Sequence, residues 1–527
     1  MLPDDLLRPD AWPEPRPTSV ELIQTHVSWV LRGEREVLKV KKPVQLGFLD
    51  FGTPERRRAA CQEEVRLNAR LAPDVYLGVL PIVQRPDGTL AATGAGPTVD
   101  WAVHMRRLDD GRRADTMLAE GSLRAIHLDR LASVIASFHQ LCRVDPAQAQ
   151  LWASPEAVGR NVRENFEQTR RSALDHVTAE VVAEAEMRQS GFLRDRASLL
   201  TERVAAGWIR DGHGDLRLEH VYFEDDGVRV IDCIEFDPRY RVEDTCADVA
   251  FLAMDLEAHG RADLAERWLA RYARATGDAG LYALADFYAG YRAWVRGKVA
   301  ALLAGDPGAP EDVRHAASRD ARRHFLLSVA ASRPALLAPT LVCVGGLIAS
   351  GKSTIADALS DELSCPVVDA DRTRKHMLGV EETRRLDDPA WSGAYDVGTT
   401  EKVYAELLRL ASVVLASGRS AIVDASFRSV SMRRSASDLA RTLGVPFRFV
   451  ECRAPPAACR SRLEARARTP GPSDGRLEIF DDFAARFEAV DELNAAEHLV
   501  LDTTRPLAES LDAVRAQVAT WPRGLVT

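Results

Sequence analysis

The sequence predicts a multidomain protein, in which an N-terminal α+β fold is followed by an α/β domain built on a parallel sheet. The chain has 527 residues, which is too long for a single hydrophobic core. Up to about residue 333 the pattern gives strands first and helices afterwards, whereas from residue 340 strands and helices alternate. Segregated elements are typical of α+β folds, and alternating elements are typical of parallel sheets.

The composition is that of an ordinary globular protein and excludes several classes of function. Hydrophobic residues make up 46% and charged residues 28%, and the formal net charge is −9. This charge argues against a general binder of nucleic acid or of anionic membranes. No apolar run approaches the roughly 20 residues that span a bilayer, and the N-terminus lacks the pattern of a signal peptide. The eight cysteines include no C-x-x-C pair, so we expect a cytoplasmic protein with reduced thiols.

The first domain is expected over residues 1–333, with a strand-rich lobe at about 20–106 and a helical lobe at about 107–333. Strands are predicted at residues 20–23, 28–31, 36–42, 75–83 and 99–106. A polar stretch at 50–58 separates the third strand from a helix over Cys61–Leu71, which carries Glu64 on the same stripe as its leucines.

Lysine is rare in this chain, which makes its positions informative. Only seven of the 69 basic residues are lysines, and three of them lie at positions 39, 41 and 42 of the third strand. Alternation along a strand places Lys39 and Lys41 on one face. A strand lysine followed by an inward helix glutamate, here Glu64, is the arrangement by which kinases hold the α- and β-phosphates of ATP. The pattern predicts Lys39 and Glu64 as nucleotide-binding residues, with Lys41 as the alternative to Lys39.

A loop and a hairpin follow the helical residues 122–206. The loop reads His213-Gly-Asp-Leu-Arg-Leu-Glu-His220, and the predicted hairpin at 221–233 returns Asp232 to the neighbourhood of Asp215. Two aspartates placed in this way suit phosphoryl transfer, because one can accept the proton of a substrate hydroxyl while the other binds Mg²⁺.

These residues resemble the aminoglycoside phosphotransferase and choline kinase group of the protein-kinase-like fold, over about residues 20–330. The resemblance implies that Asp215 is the catalytic base, that Asp232 is the main Mg²⁺ ligand and that Asp248 braces the catalytic loop. Arg217, two residues after the base, would neutralise the transferring phosphate.

One position departs from that family's pattern. The family has an asparagine five residues after the base, where its amide oxygen ligates Mg²⁺, and this chain has His220. Imidazole is a poorer Mg²⁺ ligand than an oxygen donor. The first domain is still expected to be an active phosphotransferase. The alternatives are a degenerate lobe, which uses one metal, is slow or only senses nucleotide, and a chance match.

The second domain is predicted over residues 340–527, after a linker at 334–339 that is rich in proline and small residues. Its strands are expected at 341–344, 366–369, 420–424 and 446–451, and its helices at 353–363, 400–416 and 431–443. The motif G-x-x-x-x-G-K-[ST] lies between the first strand and the first helix. The nucleotide-binding residues expected from it are Gly346, Ala349, Ser350, Gly351, Lys352, Ser353 and Thr354.

This motif is a phosphate-binding loop (P-loop). Its backbone N–H groups surround phosphate oxygens, and the N-terminus of the next helix adds partial positive charge. Lys352 would reach the β- and γ-phosphates and take part in catalysis, and the Ser353 hydroxyl would bind Mg²⁺. ATP and Mg²⁺ are therefore the expected cofactors.

Acidic residues follow two other strands at the edge where ligands bind in such sheets. Asp369 is expected to support the Mg²⁺ shell, with Asp424 as a second metal-binding carboxylate. Asp371 would hold the acceptor hydroxyl, although a helix N-cap is the alternative role for it, and Arg374 would bind an anionic part of the substrate. An arginine-rich helix at 460–468, leading into a loop at 469–474, predicts a lid or else a solvated face.

The second domain resembles the P-loop kinases of the zeta-toxin, gluconate-kinase and shikimate-kinase kind. The order of the two domains resembles a bacterial group described as bifunctional aminoglycoside phosphotransferase/ATP-binding (AAA-type) proteins. The resemblance implies an ATP-dependent phosphotransferase acting on a small hydroxylated metabolite, with no nucleic-acid or membrane partner. The alternatives are a regulatory ATPase or sensor, and a toxin-like kinase acting on nucleotide-sugar precursors. Oligomeric state is not predicted.

Overall fold

The computed structural model describes residues 4–25, 27–46, 49–331, 339–381, 384–386, 388–466 and 474–517. These form two compact units, residues 1–255 with 291–328 and residues 256–290 with 329–527. The predicted linker at 334–339 lies mostly outside the described residues. Residues 256–290, which the sequence analysis assigned to the first domain, belong to the second unit.

The first unit begins with a six-stranded antiparallel sheet in the order β1-β2-β3-β8-β6-β7. Its strands are β1 Glu21–Gln24, β2 Ser28–Arg32, β3 Glu36–Lys41, β6 Tyr76–Gln84, β7 Leu90–Ala91 and β8 Thr98–Arg106, and the short pair β4 Gln45–Leu46 and β5 Leu49–Asp50 follows β3. The five predicted strands are confirmed. Because β3 pairs with both β2 and β8, its side chains lie at the centre of the sheet.

Two small sheets and most of the helices complete this unit. The remaining strands are β9 Ile209–Asp211, β10 Val221–Glu224, β11 Gly227–Val230 and β12 Val242–Asp244. Its helices are α1 Pro54–Asn68, α2 Ala114–Ala119, α3 Ala125–Leu141, α4 Pro146–Ala153, α5 Pro155–Ala173, α6 Ala179–Asp195, α7 Ala197–Ala205, α8 Thr245–Ala258, α10 Ala285–Ala304 and α11 Glu311–Ala330. The predicted hairpin is the β10–β11 pair, with Val221 opposite Val230.

Helix α1 starts earlier than the sequence analysis predicted. The Thr53 side chain caps it by accepting a hydrogen bond from the Arg56 N–H, and Pro54 occupies its first turn. Threonine followed by proline is a helix-start signal, so part of the stretch that we interpreted as a polar loop is helical. The change leaves Glu64 inside the helix and fully buried.

The second unit is a five-stranded parallel sheet in the order β14-β15-β13-β16-β17. Its elements are β13 Leu341–Gly346, α12 Lys352–Leu363, β14 Val367–Asp369, α13 Ala370–Met377, α14 Val397–Ala416, β15 Ala421–Asp424, α15 Val430–Leu443, β16 Phe447–Arg453, α16 Pro456–Arg466, α17 Phe480–Ala485, β17 His498–Asp502 and α18 Leu507–Gln517, joined by α9 Ala262–Thr276. All residues of β13 and β15 are buried, as expected of strands covered on both faces. The predicted α+β and parallel α/β fold classes are confirmed.

Helix α9 is attached to the second unit by charged side chains. Arg267 lies 3.1 Å from Asp361, and Arg274 pairs with Asp357, both carboxylates belonging to α12. Arg274 also accepts, through its carbonyl, a hydrogen bond of 3.1 Å from Arg372. These contacts explain why a segment that is distant in sequence packs with the P-loop helix.

No helix of the described ranges is long and apolar enough to cross a membrane.

Candidate functional site

In the first unit, Lys39 joins the two acidic groups that the sequence analysis placed near it. Its Nζ lies 2.9 Å from Glu64 Oε1 and donates a hydrogen bond to Asp232 Oδ1. Burial opposes the charged form of both partners, but the Lys39 ammonium holds the pKa of Asp232 well below its usual range. Lys39 therefore connects β3, α1 and the residue after the hairpin.

Lys41 has a different set of partners. It is buried between Glu64, whose Oε2 lies 2.5 Å away, and Glu235, to which it donates a hydrogen bond. Glu64 therefore bridges both lysines. Since Lys39 is the one that contacts Asp232, the geometry favours Lys39 over Lys41 as the lysine that faces a nucleotide. Glu235 was missed by the sequence analysis, because no motif marks a glutamate three residues after Asp232.

The loop that carries Asp215 is held from behind by Asp248. Its carboxylate accepts hydrogen bonds from the backbone N–H groups of His213 at 2.6 Å and Gly214 at 2.7 Å, and it contacts His139 at 3.1 Å. Burial lowers the pKa of His213 to about 4, so its ring is neutral. That ring accepts from the Asp215 N–H and donates to the Ile231 carbonyl, which connects the loop to the end of the hairpin.

Asp215 is paired with Arg217 in a bidentate arrangement. Arg217 Nε lies 2.9 Å from Oδ1 and Nη2 lies 3.0 Å from Oδ2. Burial opposes ionisation, yet Arg217 and His220 hold the pKa of Asp215 below its ordinary value. Both oxygens of the predicted base are therefore engaged by this guanidinium.

His220 lies between the two aspartates. Its Nδ1 donates to the Asp215 carbonyl oxygen at 2.8 Å, and its Nε2 lies 3.6 Å from Asp232 Oδ2. Because Nδ1 carries the proton of that hydrogen bond, Nε2 is the nitrogen available towards Asp232. The structure thus brings together Lys39, Glu64, Asp215, Arg217, His220 and Asp232 in one site, as predicted.

The His220→Asn variant is expected to leave ATP turnover by the first unit unchanged or to raise it. An asparagine amide can keep the donor towards the Asp215 carbonyl and offer an oxygen, the better Mg²⁺ ligand, on the side of Asp232. The measurement is ATP turnover in a Lys352→Ala background. A tenfold loss, about 1.4 kcal/mol in the barrier, would show instead that the imidazole has a role of its own.

In the second unit the P-loop turns between β13 and α12. Gly346 has φ +139° and Gly351 has φ +93°, and a Cβ on Gly346 would approach the Cys452 carbonyl oxygen to 2.3 Å. Both positions therefore require glycine. Ala349 also has a positive φ, +58°, while Ser350 is buried and Ser353 and Thr354 lie in the first turn of α12. Lys352 Nζ donates to the Leu347 carbonyl at 2.8 Å, so it lies over its own loop.

Three carboxylates face this loop, two at the ends of the neighbouring strands β14 and β15 and one in the first turn of α13. Asp369, Asp371 and Asp424 line one cleft with Lys352 and Ser353, and the cleft encloses about 910 Å³ including space open to solvent. Burial and the nearby Asp369 raise the pKa of Asp424 to about 7 and that of Asp371 to about 6. Asp369, rather than Asp371, caps α13 by accepting from the Arg372 N–H at 2.8 Å. The alternative role of Asp371 as N-cap is therefore wrong.

The same carboxylates fit a divalent cation. Asp424 Oδ2 is buried and has no hydrogen-bond partner within the described part of the chain, and Ser353 lines the same cleft. A cation held here would satisfy that oxygen and relieve the repulsion between Asp424 and Asp369. Within the described residues, no group of three His, Cys, Asp or Glu side chains is arranged to hold a metal ion by itself.

In Mg²⁺-free buffer, the contribution of Asp424 to the free energy of unfolding is expected to fall as the pH rises from about 4 to about 7. Over this range the folded protein retains a proton on Asp424, whose pKa is raised to about 7, whereas the unfolded chain has released it. The state that binds more protons loses stability as pH rises. Urea unfolding at pH 5 and pH 8 with EDTA measures the effect. The free energy of unfolding at pH 5 minus that at pH 8 should be smaller in Asp424→Asn than in the parent by at least about 1 kcal/mol. The exposed control Asp438→Asn should give the value of the parent. Equal values in the two variants would contradict the raised pKa of Asp424.

The far end of the cleft contains cationic and aromatic side chains. Arg374 is buried, donates to the Ala394 carbonyl at 2.5 Å and lies 4.6 Å from the centre of the Tyr395 ring. Arg428 and Trp391 also line this cleft. The sequence analysis found Arg374 from its spacing to Asp371, but Trp391, Tyr395 and Arg428 lie in connecting segments where no pattern marks them.

The predicted lid helix is α16, and it contacts the P-loop from one side. Arg462 donates to the Ala349 carbonyl at 3.1 Å and to the Thr503 carbonyl at 2.6 Å, whereas Arg460 pairs with Asp481 at 2.5 Å. Arg466 lines the cleft. The remainder of the predicted lid, Arg468 and the loop at 469–473, lies outside the described residues. At least one arginine of the run therefore supports the loop instead of forming a solvated face.

Relatives of this chain are known in mycobacteria. It is 33% identical over 480 residues to an uncharacterized protein of Mycobacterium tuberculosis and equally to one of Mycobacterium bovis, with 90% of this chain and 92% of the relative covered. The chain belongs to the family of these proteins. Since the match covers nearly the whole of both chains, the two units occur together in this family. A family model described as an AAA domain matches residues 341–490, which is the part that contains the P-loop.

Solved structures of two kinds are similar to separate parts of the chain. A sugar kinase of Janibacter sp. is 20% identical with a TM-score of 0.27, covering 35% of this chain and 96% of its own. A choline/ethanolamine kinase family protein of Mesorhizobium loti is 12% identical with a TM-score of 0.35, covering 59% of this chain and 92% of its own. Both TM-scores are below 0.5, so the fold assignment rests on the strand orders and registers given above.

Proposed function

We propose that this protein is an ATP-dependent phosphotransferase with two nucleotide sites, each of which transfers the γ-phosphate to a hydroxyl of a small molecule. The observation that carries the proposal is the cleft of the second unit, where the P-loop, with Lys352 and Ser353, faces Asp371 and Asp424. A phosphate-binding loop opposite buried carboxylates is what phosphoryl transfer to a hydroxyl requires. The match of an AAA domain to residues 341–490 supports nucleotide binding there.

In the second unit each group has a distinct task. The loop N–H groups and the N-terminus of α12 bind the phosphates, and Lys352 leaves the Leu347 carbonyl to neutralise the transferring group. Ser353 and Asp424 would hold Mg²⁺, which supplies charge stabilisation for the phosphates when bound. Asp371, with a pKa of about 6, orients the acceptor hydroxyl and takes its proton, as a base with a pKa near neutrality can.

In the first unit the tasks are carried by the site around Lys39. Lys39, fixed by Glu64, binds the α- and β-phosphates, and Asp232 with His220 would hold Mg²⁺. Asp215 orients the acceptor hydroxyl, and Arg217 moves from the Asp215 carboxylate to the transferring phosphate. The resemblance to aminoglycoside phosphotransferases and choline kinases supports this assignment. The acceptor is a small metabolite in the cytoplasm, without a nucleic-acid or membrane partner.

A regulatory ATPase is the second candidate, and one observation favours it. Arg217 engages both oxygens of Asp215, which is the arrangement of a unit that binds nucleotide without presenting its base to an acceptor. In that case the second unit would hydrolyse ATP and the first would report nucleotide binding.

A panel of hydroxylated metabolites with γ-labelled ATP tests the proposal. Transfer of label to acceptors supports a phosphotransferase with two sites if each variant removes one set of labelled products. Lys352→Ala should remove the products of the second unit, and Asp215→Asn should remove those of the first. Acceptor-independent release of phosphate that only Lys352→Ala abolishes supports the regulatory ATPase.

A further inference from the structure

A strained turn follows strand β15 in the second unit. Phe427, which is fully buried, has φ +47°, a left-handed conformation that bulky residues rarely adopt. Such a residue persists only where its surroundings hold it in place, and residues of this kind cluster at functional sites. The turn consists of Ala425, Ser426 and Phe427, and its first two residues line the cleft that contains the P-loop. We therefore looked in this turn for a further contact with the ligand of the cleft.

The turn is held against the P-loop. The Ser426 carbonyl accepts a hydrogen bond of 3.1 Å from the Gly346 N–H, and the Phe427 carbonyl accepts one of 2.9 Å from the buried Arg433 Nη1. A Cβ on Gly345 would approach the Phe427 Cβ to 3.2 Å, so this glycine lets the turn pack closely on the loop. Ser426 is therefore fixed beside the loop whose N–H groups are proposed to bind phosphates.

Tyr404 of α14 holds the turn from the other side. Its hydroxyl accepts a hydrogen bond of 2.8 Å from the Phe427 N–H and lies 3.0 Å from Ser426 Oγ. Tyr404 is buried, and its ring packs edge-on against the ring of Phe427, with 5.5 Å between the ring centres. The tyrosine therefore positions both the backbone of the turn and the serine side chain.

The directions of these hydrogen bonds leave one donor for a ligand. Among the residues that the structure describes, Ser426 Oγ is the one acceptor within reach of the Tyr404 hydroxyl proton. A buried hydroxyl that left its proton unpaired would lose a hydrogen bond, so Tyr404 donates to Ser426. Ser426 accepts this bond with a lone pair, and its own proton has no acceptor in the described part of the protein. The Ser426 O–H is therefore available to a molecule in the cleft.

We propose that Ser426 binds the γ-phosphate of the nucleotide in the second unit by donating its hydroxyl proton to a phosphate oxygen, and that Tyr404 is its positioning residue. Ser426 is hydrogen-bonded to Gly346 of the P-loop, whereas Asp371, to which we assign the acceptor, lies on α13. A charged phosphate oxygen also makes a stronger hydrogen bond than a neutral hydroxyl does. The inference rests on the proposed function of this cleft as an ATP site. Since ADP lacks the γ-phosphate, Ser426 should distinguish ATP from ADP.

Calorimetry on the full chain tests the proposal by comparing ADP with AMP-PNP, a non-hydrolysable analogue of ATP, both with Mg²⁺. The background is Asp232→Asn, which is expected to weaken nucleotide binding by the first unit. Ser426→Ala should weaken AMP-PNP binding about tenfold or more, the usual cost of losing a hydrogen bond to a charged group. The same variant should leave ADP affinity unchanged, which also shows that it is folded.

Three further variants assign the effect to the hydroxyl and to its position. Ser426→Thr keeps the hydroxyl and should bind AMP-PNP as the parent does. Tyr404→Phe removes the hydrogen bond that orients Ser426, so it should lower the ratio of AMP-PNP affinity to ADP affinity, which a purely structural role would not change. Ser435→Ala, at an exposed serine of α15, is the matched control and should change neither affinity.

Two outcomes separate this inference from the proposed function. If Ser426→Ala and Tyr404→Phe change neither affinity, or weaken AMP-PNP and ADP equally, Ser426 does not bind the γ-phosphate, while the nucleotide site itself stands. If the Asp232→Asn parent binds neither nucleotide, the ATP site proposed for the second unit fails, and the role of Ser426 fails with it.

Discussion

Replacing Lys352 with alanine is expected to lower ATP turnover by the second unit at least about 100-fold, the usual cost of removing one group that stabilises the charge of a transition state. Lys352 is the lysine of the P-loop, and its Nζ lies 2.8 Å from the Leu347 carbonyl of that loop. The other lysine of the cleft region, Lys375, is buried against Asp474 and cannot replace it. The measurement is steady-state phosphate release in an Asp215→Asn background, where the first unit is silent.

The matched control for this variant is Lys402→Ala. Lys402 is exposed on α14, so its loss removes one positive charge from the same unit without touching the cleft. Turnover in Lys402→Ala should equal that of the parent. If Lys352→Ala also retains turnover, the P-loop is not the site of ATP chemistry, and the function proposed for the second unit fails.

Much of the fold could be predicted because it depends on local signals. Strands β3 and β13 and helix α12 were found within one or two residues, since alternation, apolar runs and glycine motifs act over short distances. The start of α1 was missed because its Thr53-Pro54 signal lies in a polar stretch. The assignment of residues 256–290 could not be predicted, because it depends on pairs such as Arg274 with Asp357 that are distant in sequence.

The residues of the candidate sites could likewise be predicted where they belong to a local motif, and not where they depend on contacts between distant parts of the chain. Residues within a motif, such as Lys352 in the P-loop, were found from spacing alone. Only the structure shows that Lys39 and not Lys41 contacts Asp232, because alternation along the strand places both lysines on the same face. The contacts of Arg428 and Arg486 with Trp391 had no sequence signal, since these residues are far apart in the chain and only the fold brings both guanidinium groups to one ring.

The roles of the two aspartates of the first unit can be separated by paired variants in a Lys352→Ala background. Asp215→Asn is expected to lower kcat about 10²–10⁴-fold, the usual contribution of a general base, with little change in ATP affinity. Asp232→Asn is expected to weaken Mg·ATP binding as well as turnover, because Asp232 contacts Lys39 and faces the position proposed for the metal. Nucleotide titration and initial rates on both variants measure the split between kcat and Kd.

The contacts of Asp215 explain why its variant should change kcat and not ATP affinity. Asp215 contacts Arg217 through both oxygens and has no contact with Lys39, so its neutral amide should free Arg217 without disturbing the lysine that binds phosphates. Asp226→Asn, at the exposed turn of the β10–β11 hairpin, is the control and should behave as the parent. Equal losses of ATP affinity in the Asp215 and Asp232 variants would contradict the assigned roles. Unchanged turnover in both would mean that the first unit binds nucleotide without transferring its phosphate, as the regulatory alternative requires.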